Sequence, residues 1–194
     1  NGLLVVDADD SLWIATDRGG LGRLKDGVIT AVTTREGLPN DTVRAVVEDV
    51  NGTMWIGTHG GGLAALTGTG VSVMTTRDRL LSNVVFALGA GRRGALWIGT
   101  YNGGLNRLDA GRMESVSDAG LEKNRFVTSV FEDAADALWI GTYGGGLLRY
   151  AHGVFTTFRA ADGLGSDHVW TIADDRRGGL WVGTRAGLSR WNGD

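Results

Sequence analysis

Along the chain, apolar residues come in short runs cut by glycine-rich and acidic turns. No stretch sustains the 3.6-residue spacing of an amphipathic helix. The runs recur in a fixed order. TVRAVVEDVNG (42–52) and HVWTIADDRRG (168–178) are apolar stretches that end in a turn. MWIGT or LWIGT follows, with apolar and small residues on both faces, as in a strand covered on both sides. Glycines then turn the chain into GLNRL (104–108) or GLLRY (146–150). A β-branched and aromatic stretch comes next, such as GVITAVTT (27–34) or GVFTTF (153–158). Turn residues such as REGLPND (35–41) and AADGLGSD (160–167) close the unit. The pattern predicts four strands per unit and no helix longer than a turn.

The unit repeats. WIATDRGGL starts at Trp13, WIGTHGGGL at Trp55, WIGTYNGGL at Trp97, WIGTYGGGL at Trp139 and WVGTRAGL at Trp181, each 42 residues after the one before. Four-stranded repeats of this length are the signature of a β-propeller blade. The predicted fold is therefore an all-β propeller with blades at 1–34, 42–76, 84–116, 126–158 and 168–194. The last repeat stops after its third strand, so its outer strand is missing. A segment of a larger propeller is expected in preference to a closed five-bladed ring, with an exposed edge near Leu188–Trp191 that invites association.

The repeated phrase first reads as scaffolding. A phosphate loop would need Lys and then Ser or Thr after its glycines, followed by a helix, and here Leu and more strand follow. Five Trp at one fixed position are wedges between neighbouring blades, each burying roughly 150–250 Å². That area corresponds to an upper estimate of roughly 4–6 kcal/mol per blade. Gly57, Gly99, Gly141 and Gly183, with Ala15, lie two residues beyond each Trp on the same face, where small residues let the next blade approach. Gly61 and Gly62 are expected to supply positive φ in the turn. Asp7, Asp49, Asp133 and Asp175 stand six residues before a Trp. DVNG resembles the start of a calcium loop, but Gly60 occupies the place of its closing Glu. Asx-turns are expected instead.

Composition narrows the function. Net charge is −3 with scattered Lys and Arg, which argues against a nucleic-acid partner. With no Cys there is neither a disulfide nor a thiolate metal site, and no apolar run reaches the roughly 20 residues of a membrane span. Gly 33 against Pro 1 fits many tight turns between short strands. The histidines, His59, His152 and His168, lie in different repeats without metal-ligand spacing, and no nucleophile elbow or metalloprotease motif occurs. No catalytic residue, metal site or cofactor is assigned. A site dispersed over several blades stays open.

Five copies allow an internal comparison, because positions that vary between copies do not serve the blade they share. Four and five residues after each Trp stand Asp17–Arg18, His59–Gly60, Tyr101–Asn102, Tyr143–Gly144 and Arg185–Ala186. Eleven before each Trp stand Gly2, Arg44, Phe86, Thr128 and Trp170. In an up-and-down blade both sets fall at one end, around the mouth of the central channel. Arg18, Arg44, His59, Phe86, Tyr101, Asn102, Tyr143, Trp170 and Arg185 are the candidate ligand-binding residues. Their aromatic and forked polar side chains suit a sugar or a peptide. The other reading is of exposed loop positions that serve nothing.

Residues 37–66, GLPNDTVRAVVEDVNGTMWIGTHGGGLAAL, resemble the two-component regulator propeller repeat, and the resemblance runs through all five units. The third departs from it with GAGRRG in place of the acidic turn, and the fifth shortens the glycine turn to RAGL. The resemblance implies the extracytoplasmic, periplasmic sensor region of a bacterial, often hybrid, histidine kinase or of a diguanylate cyclase. It further implies a small-molecule or oligosaccharide ligand, and other blades or domains in a longer parent chain. The signalling chemistry would belong to that parent, and no membrane segment lies in this chain. The alternatives are a secreted or periplasmic lyase-like enzyme and a protein-interaction scaffold.

Overall fold

Each unit folds as a small antiparallel meander. The computed structural model describes residues 4–68, 70–116, 121, 125–175 and 178–192. Blade 1 is β1 (Leu4–Val6), β2 (Leu12–Ala15), β3 (Leu21–Lys25) and β4 (Val28–Val32). Blade 2 is β5 (Val43–Glu48), β6 (Met54–Thr58), β7 (Leu63–Thr67) and β8 (Gly70–Met74). Blade 3 is β9 (Val85–Ala90), β10 (Leu96–Thr100), β11 (Gly104–Asp109) and β12 (Arg112–Val116). Blade 4 is β13 (Val127–Glu132), β14 (Leu138–Thr142), β15 (Leu147–Ala151) and β16 (Val154–Phe158). Blade 5 has three strands, β17 (Val169–Asp174), β18 (Leu180–Thr184) and β19 (Gly187–Trp191). Single 3-10 turns lie at Thr76–Asp78 and Ala160–Asp162. The fold is an all-β propeller, as the period predicts. Gly2 lies outside the described residues.

The core lies between blades rather than within them. Trp139 and Leu147 of blade 4 pack on Val169, Ile172, Leu180 and Val182 of blade 5, and Trp13 and Leu21 pack on Val46, Met54 and Ile56 in the same way. The first strands β5, β9, β13 and β17 pack on one another in succession, which sets them innermost. The small residues after each Trp make this approach feasible. A Cβ on Gly57 would lie 2.6 Å from Val85, one on Gly99 2.5 Å from Val127 and one on Gly141 2.7 Å from Val169, each in the next blade.

The rest of the phrase is hydrogen-bond chemistry. The Thr that ends each WIGT donates Oγ1 across the turn, from Thr16, Thr58, Thr100, Thr142 and Thr184 to the carbonyls of Gly20, Gly62, Gly104, Gly146 and Gly187. Gly62 has φ +92° and Gly60 φ +103°; Gly61 has no positive φ, contrary to expectation. It is constrained by space instead, since a Cβ there would lie 2.7 Å from the carbonyl of Pro39.

The recurring Asp does more than close its turn. Oδ1 of Asp49 accepts the amides of Asn51 and Thr53, the expected Asx-turn, while Oδ2 accepts the Trp55 indole N–H at 2.8 Å. Asp7 and Trp13 do the same at 2.7 Å, and Asp133 and Trp139 at 2.8 Å. Repeat three has Gly91 there, and the Trp97 N–H reaches Glu132 of blade 4 instead. Burial of Asp7 opposes its ionisation, but the bonds from Trp13, Ser11 and Asp9 outweigh it and hold the carboxyl below its ordinary value.

Candidate ligand site at the channel mouth

The turn between the second and third strands of each blade is tied to the link into the next blade. Gly20 donates to Asp41, Gly62 to Asn83, Gly104 to Arg125 and Gly146 to Asp167. Both variable sets therefore gather at one end of the propeller. A second bond folds each turn onto its own first strand: His59 N–H donates to Thr42, Tyr101 to Val84, Tyr143 to Phe126 and Arg185 to His168.

The other set sits on a repeated irregularity. The register of the first strand slips once in blades 2 to 5, leaving Arg44, Phe86, Thr128 and Trp170 without a cross-strand partner. Such a bulge frees a side chain from the strict alternation of the pleat and re-aims it. Thr128 uses that freedom inwardly: it is buried and donates Oγ1 to the Val169 carbonyl at 2.7 Å. Trp170 at the same register is 46% exposed.

The outward residues form a continuous aromatic row across four blades. His59 meets Phe86 edge-on at 6.4 Å between centroids, and Phe86 lies 6.2 Å from Tyr101. Phe126 is at the centre, 4.8 Å from both Phe86 and Tyr101 and 5.4 Å from Tyr143. Tyr143 then touches His168 at 4.5 Å and Trp170 at 5.4 Å. Arg44 lies over the Phe86 ring at 5.9 Å, with Asp17 of blade 1 3.8 Å from its guanidinium. Tyr101 and Tyr143 are each 44% exposed. Ring packed on ring, with Tyr101, Tyr143 and Trp170 partly open to solvent, makes an apolar surface fringed by phenol, indole and guanidinium donors.

Of the residues singled out from the sequence, Arg44, His59, Phe86, Tyr101, Tyr143 and Trp170 come together. Arg18, Asn102 and Arg185 are exposed on their turns and enter none of these ring contacts. Sequence reasoning missed Phe126 and His168, thirteen residues before their Trp. The signal was present, since that register reads Thr42, Val84, Phe126 and His168.

A family model described as two component regulator propeller matches residues 37–60, 120–144 and 163–186, one stretch in each of repeats two, four and five. No curated protein matches the chain by sequence. Among solved structures, the chain is similar to the extracellular domain of BT4673 from B. thetaiotaomicron, described as a one-component system. The TM-score is 0.81 at 22% identity, over 97% of this chain and 26% of that one. This chain thus spans about a quarter of that relative. The extracellular domain of BT3049 from the same organism, described as a hybrid two-component system, matches with TM-score 0.62 at 20% identity, over 96% of this chain and 32% of that one. A catalytically inactive virginiamycin B lyase from Staphylococcus aureus, solved with quinupristin, matches with TM-score 0.74 at 14% identity, over 98% and 69% of the two chains. At these identities the structural likenesses establish the shared fold. The two component regulator propeller model thus recognises three of the five repeats, and the Trp-centred phrase recurs in all five.

Proposed function

We propose that this propeller is the ligand-sensing module of a bacterial signal-transduction protein and that its aromatic row binds an extracytoplasmic oligosaccharide. The observation that carries the reading is the row itself: aromatic rings from His59 to Trp170, in contact across four blades, with Tyr101, Tyr143 and Trp170 partly open to solvent. Exposed aromatic faces of this extent cost solvation and serve to stack on a flat apolar ligand face. Pyranose rings offer such a face, with hydroxyls at the edge for Arg44 and the tyrosines. The repeat family and the extracellular signalling domains of like fold support a sensor role and an extracytoplasmic location. In this reading occupancy is passed to an output module in a longer parent.

Calorimetry of the chain with a pool of neutral oligosaccharides from partial polysaccharide hydrolysis tests this. Binding is expected to weaken about tenfold or more on Tyr143→Ala or Trp170→Ala, with folding retained. Absence of binding, or binding untouched by both variants, would overturn it.

A further inference from the structure

At the end of the blades opposite the aromatic row, a cavity of about 530 Å³ lies between blades 4 and 5. Asp133, Ala135, Arg149, Asp174, Gly179 and Trp191 line it. Two of these residues hold donors without acceptors.

Arg149 is the first. Its guanidinium stacks over Trp139 at 5.6 Å and Trp191 at 6.0 Å. Repeats one, three and five place an arginine over their Trp in the same way, and each of those finds an anion. Arg23 bonds Ser11 and lies 3.9 Å from Asp7, Arg107 pairs with Asp109, and Arg190 holds Asp175 through Nε and Nη2. Arg149 is half-buried and, among the described residues, donates no hydrogen bond and makes no ion pair. A buried Nε alone would say little, since Arg23 and Arg44 share it. The guanidinium of Arg149 differs in making no hydrogen bond or ion pair to any described residue, which leaves its terminal nitrogens for solvent or a ligand. Ala151 stands where repeat three has Asp109. The oxygens of Asp133 are committed to the amides of Ala135 and Ala137 and to the Trp139 N–H.

Trp191 is the second. It pairs with Leu180 where the other repeats carry Leu24, Leu66, Leu108 and Tyr150. Its Nε1 is buried with no acceptor. Asp133 and Asp174 also line the cavity, but neither bonds Arg149. The buried Nε of Arg149 and the buried indole N–H of Trp191 are left without acceptors, and one acceptor group held between them would relieve both. The planar fork of Arg149 matches a carboxylate, and its ring stacking pre-orients it. The volume falls within the range of small-molecule sites, about 300–1,000 Å³.

We propose that this inter-blade cavity binds a small molecule through its carboxylate, held by the Arg149 guanidinium with the Trp191 N–H as second donor. This site is separate from the channel mouth. Titration of the full chain with sodium D-glucuronate and with D-glucose, at matched ionic strength, isolates the carboxylate. Glucuronate is expected to bind and glucose not to. Arg149→Gln should weaken glucuronate about tenfold or more, and Trp191→Leu, which restores the residue of repeats one to three, should weaken it less. Arg77→Ala, which removes an exposed cation on a turn of blade 2, should leave it unchanged. No binding of glucuronate, equal binding of glucose, or wild-type affinity in an Arg149→Gln variant folded by circular dichroism would each overturn the proposal. Should Arg149→Gln not fold, unchanged affinity in Trp191→Leu overturns it.

Discussion

Trp139 and Trp181 stand at the same position of successive repeats, on the same face of equivalent strands, and meet opposite fates. Trp139 is 0% exposed, enclosed by blade 5, while Trp181 is 40% exposed. Blade 1 shows the converse on its other face. Leu4 is 60% exposed, whereas Val46, which pairs with Ile56 as Leu4 does with Ile14, is 2% exposed. One blade thus holds half a core, and the next blade supplies the rest. The lesson is energetic: a residue's worth depends on its neighbouring repeat more than on its own, as in any linear array of stacked units.

The strongest way to break that comparison is to remove both indoles. Trp139→Ala should cost about 3–5 kcal/mol by leaving a cavity against Val169, Ile172 and Leu180. Trp181→Ala should cost less, about 1–2 kcal/mol, because 40% of its surface is already in water. Urea unfolding of the two variants measures the gap, and equal losses would show that burial against the next blade is not what the Trp contributes.

The glycines sharpen the contrast at a smaller scale. A Cβ at Gly141 would press on Val169 of blade 5 and on Ser129 of its own blade, so Gly141→Ala should destabilise by about 1–3 kcal/mol. At Gly183 the obstacle is the Thr171 methyl of its own, exposed blade, which can turn aside. Gly183→Ala should change stability by about 0.5 kcal/mol or less in the same assay.

How much of this was legible follows from what repeats. The Trp wedge and the small residue after it are needed identically at each blade junction, so the period exposes them. Features that cross between repeats are hidden from such a comparison. Trp97 loses its own Asp to Gly91, and the replacement, Glu132, sits in the next repeat at a position where no need is visible. The bulge that sets Phe86 and Trp170 free of the pleat is a matter of backbone register, which residue types do not encode. The mouth was legible as a zone because variable positions clustered there. Its centre, Phe126, was not, since a Phe before a strand reads as ordinary core.

The indole–carboxylate bond gives a pH-dependent test. Asp7 has a folded pKa below its unfolded value near 3.9, so its contribution is complete above that value and is lost as pH falls through the folded pKa. Asp7→Asn should cost about 1 kcal/mol at pH 7, and the gap from wild type should close as pH falls from about 5 toward 2. A gap that stays constant across that range in chemical unfolding would mean the charge of Asp7 contributes nothing.

The smallest expected effect on stability falls on the largest exposed side chain. Trp170 and Thr128 occupy the same bulge position one repeat apart, yet Thr128 is buried and bonds the Val169 carbonyl, while Trp170 projects into water. Losing the threonine hydroxyl leaves a carbonyl at a blade junction short of a donor, so Thr128→Ala should cost about 1 kcal/mol. Trp170 touches the aromatic row chiefly through Tyr143, an edge contact already open on its outer side. Trp170→Ala should therefore cost about 0.5 kcal/mol or less, although it removes the bulkier group. Thermal unfolding of the pair decides it. If Trp170→Ala proves the more damaging, the indole is bracing the junction of blades 4 and 5, and its role at the mouth is structural.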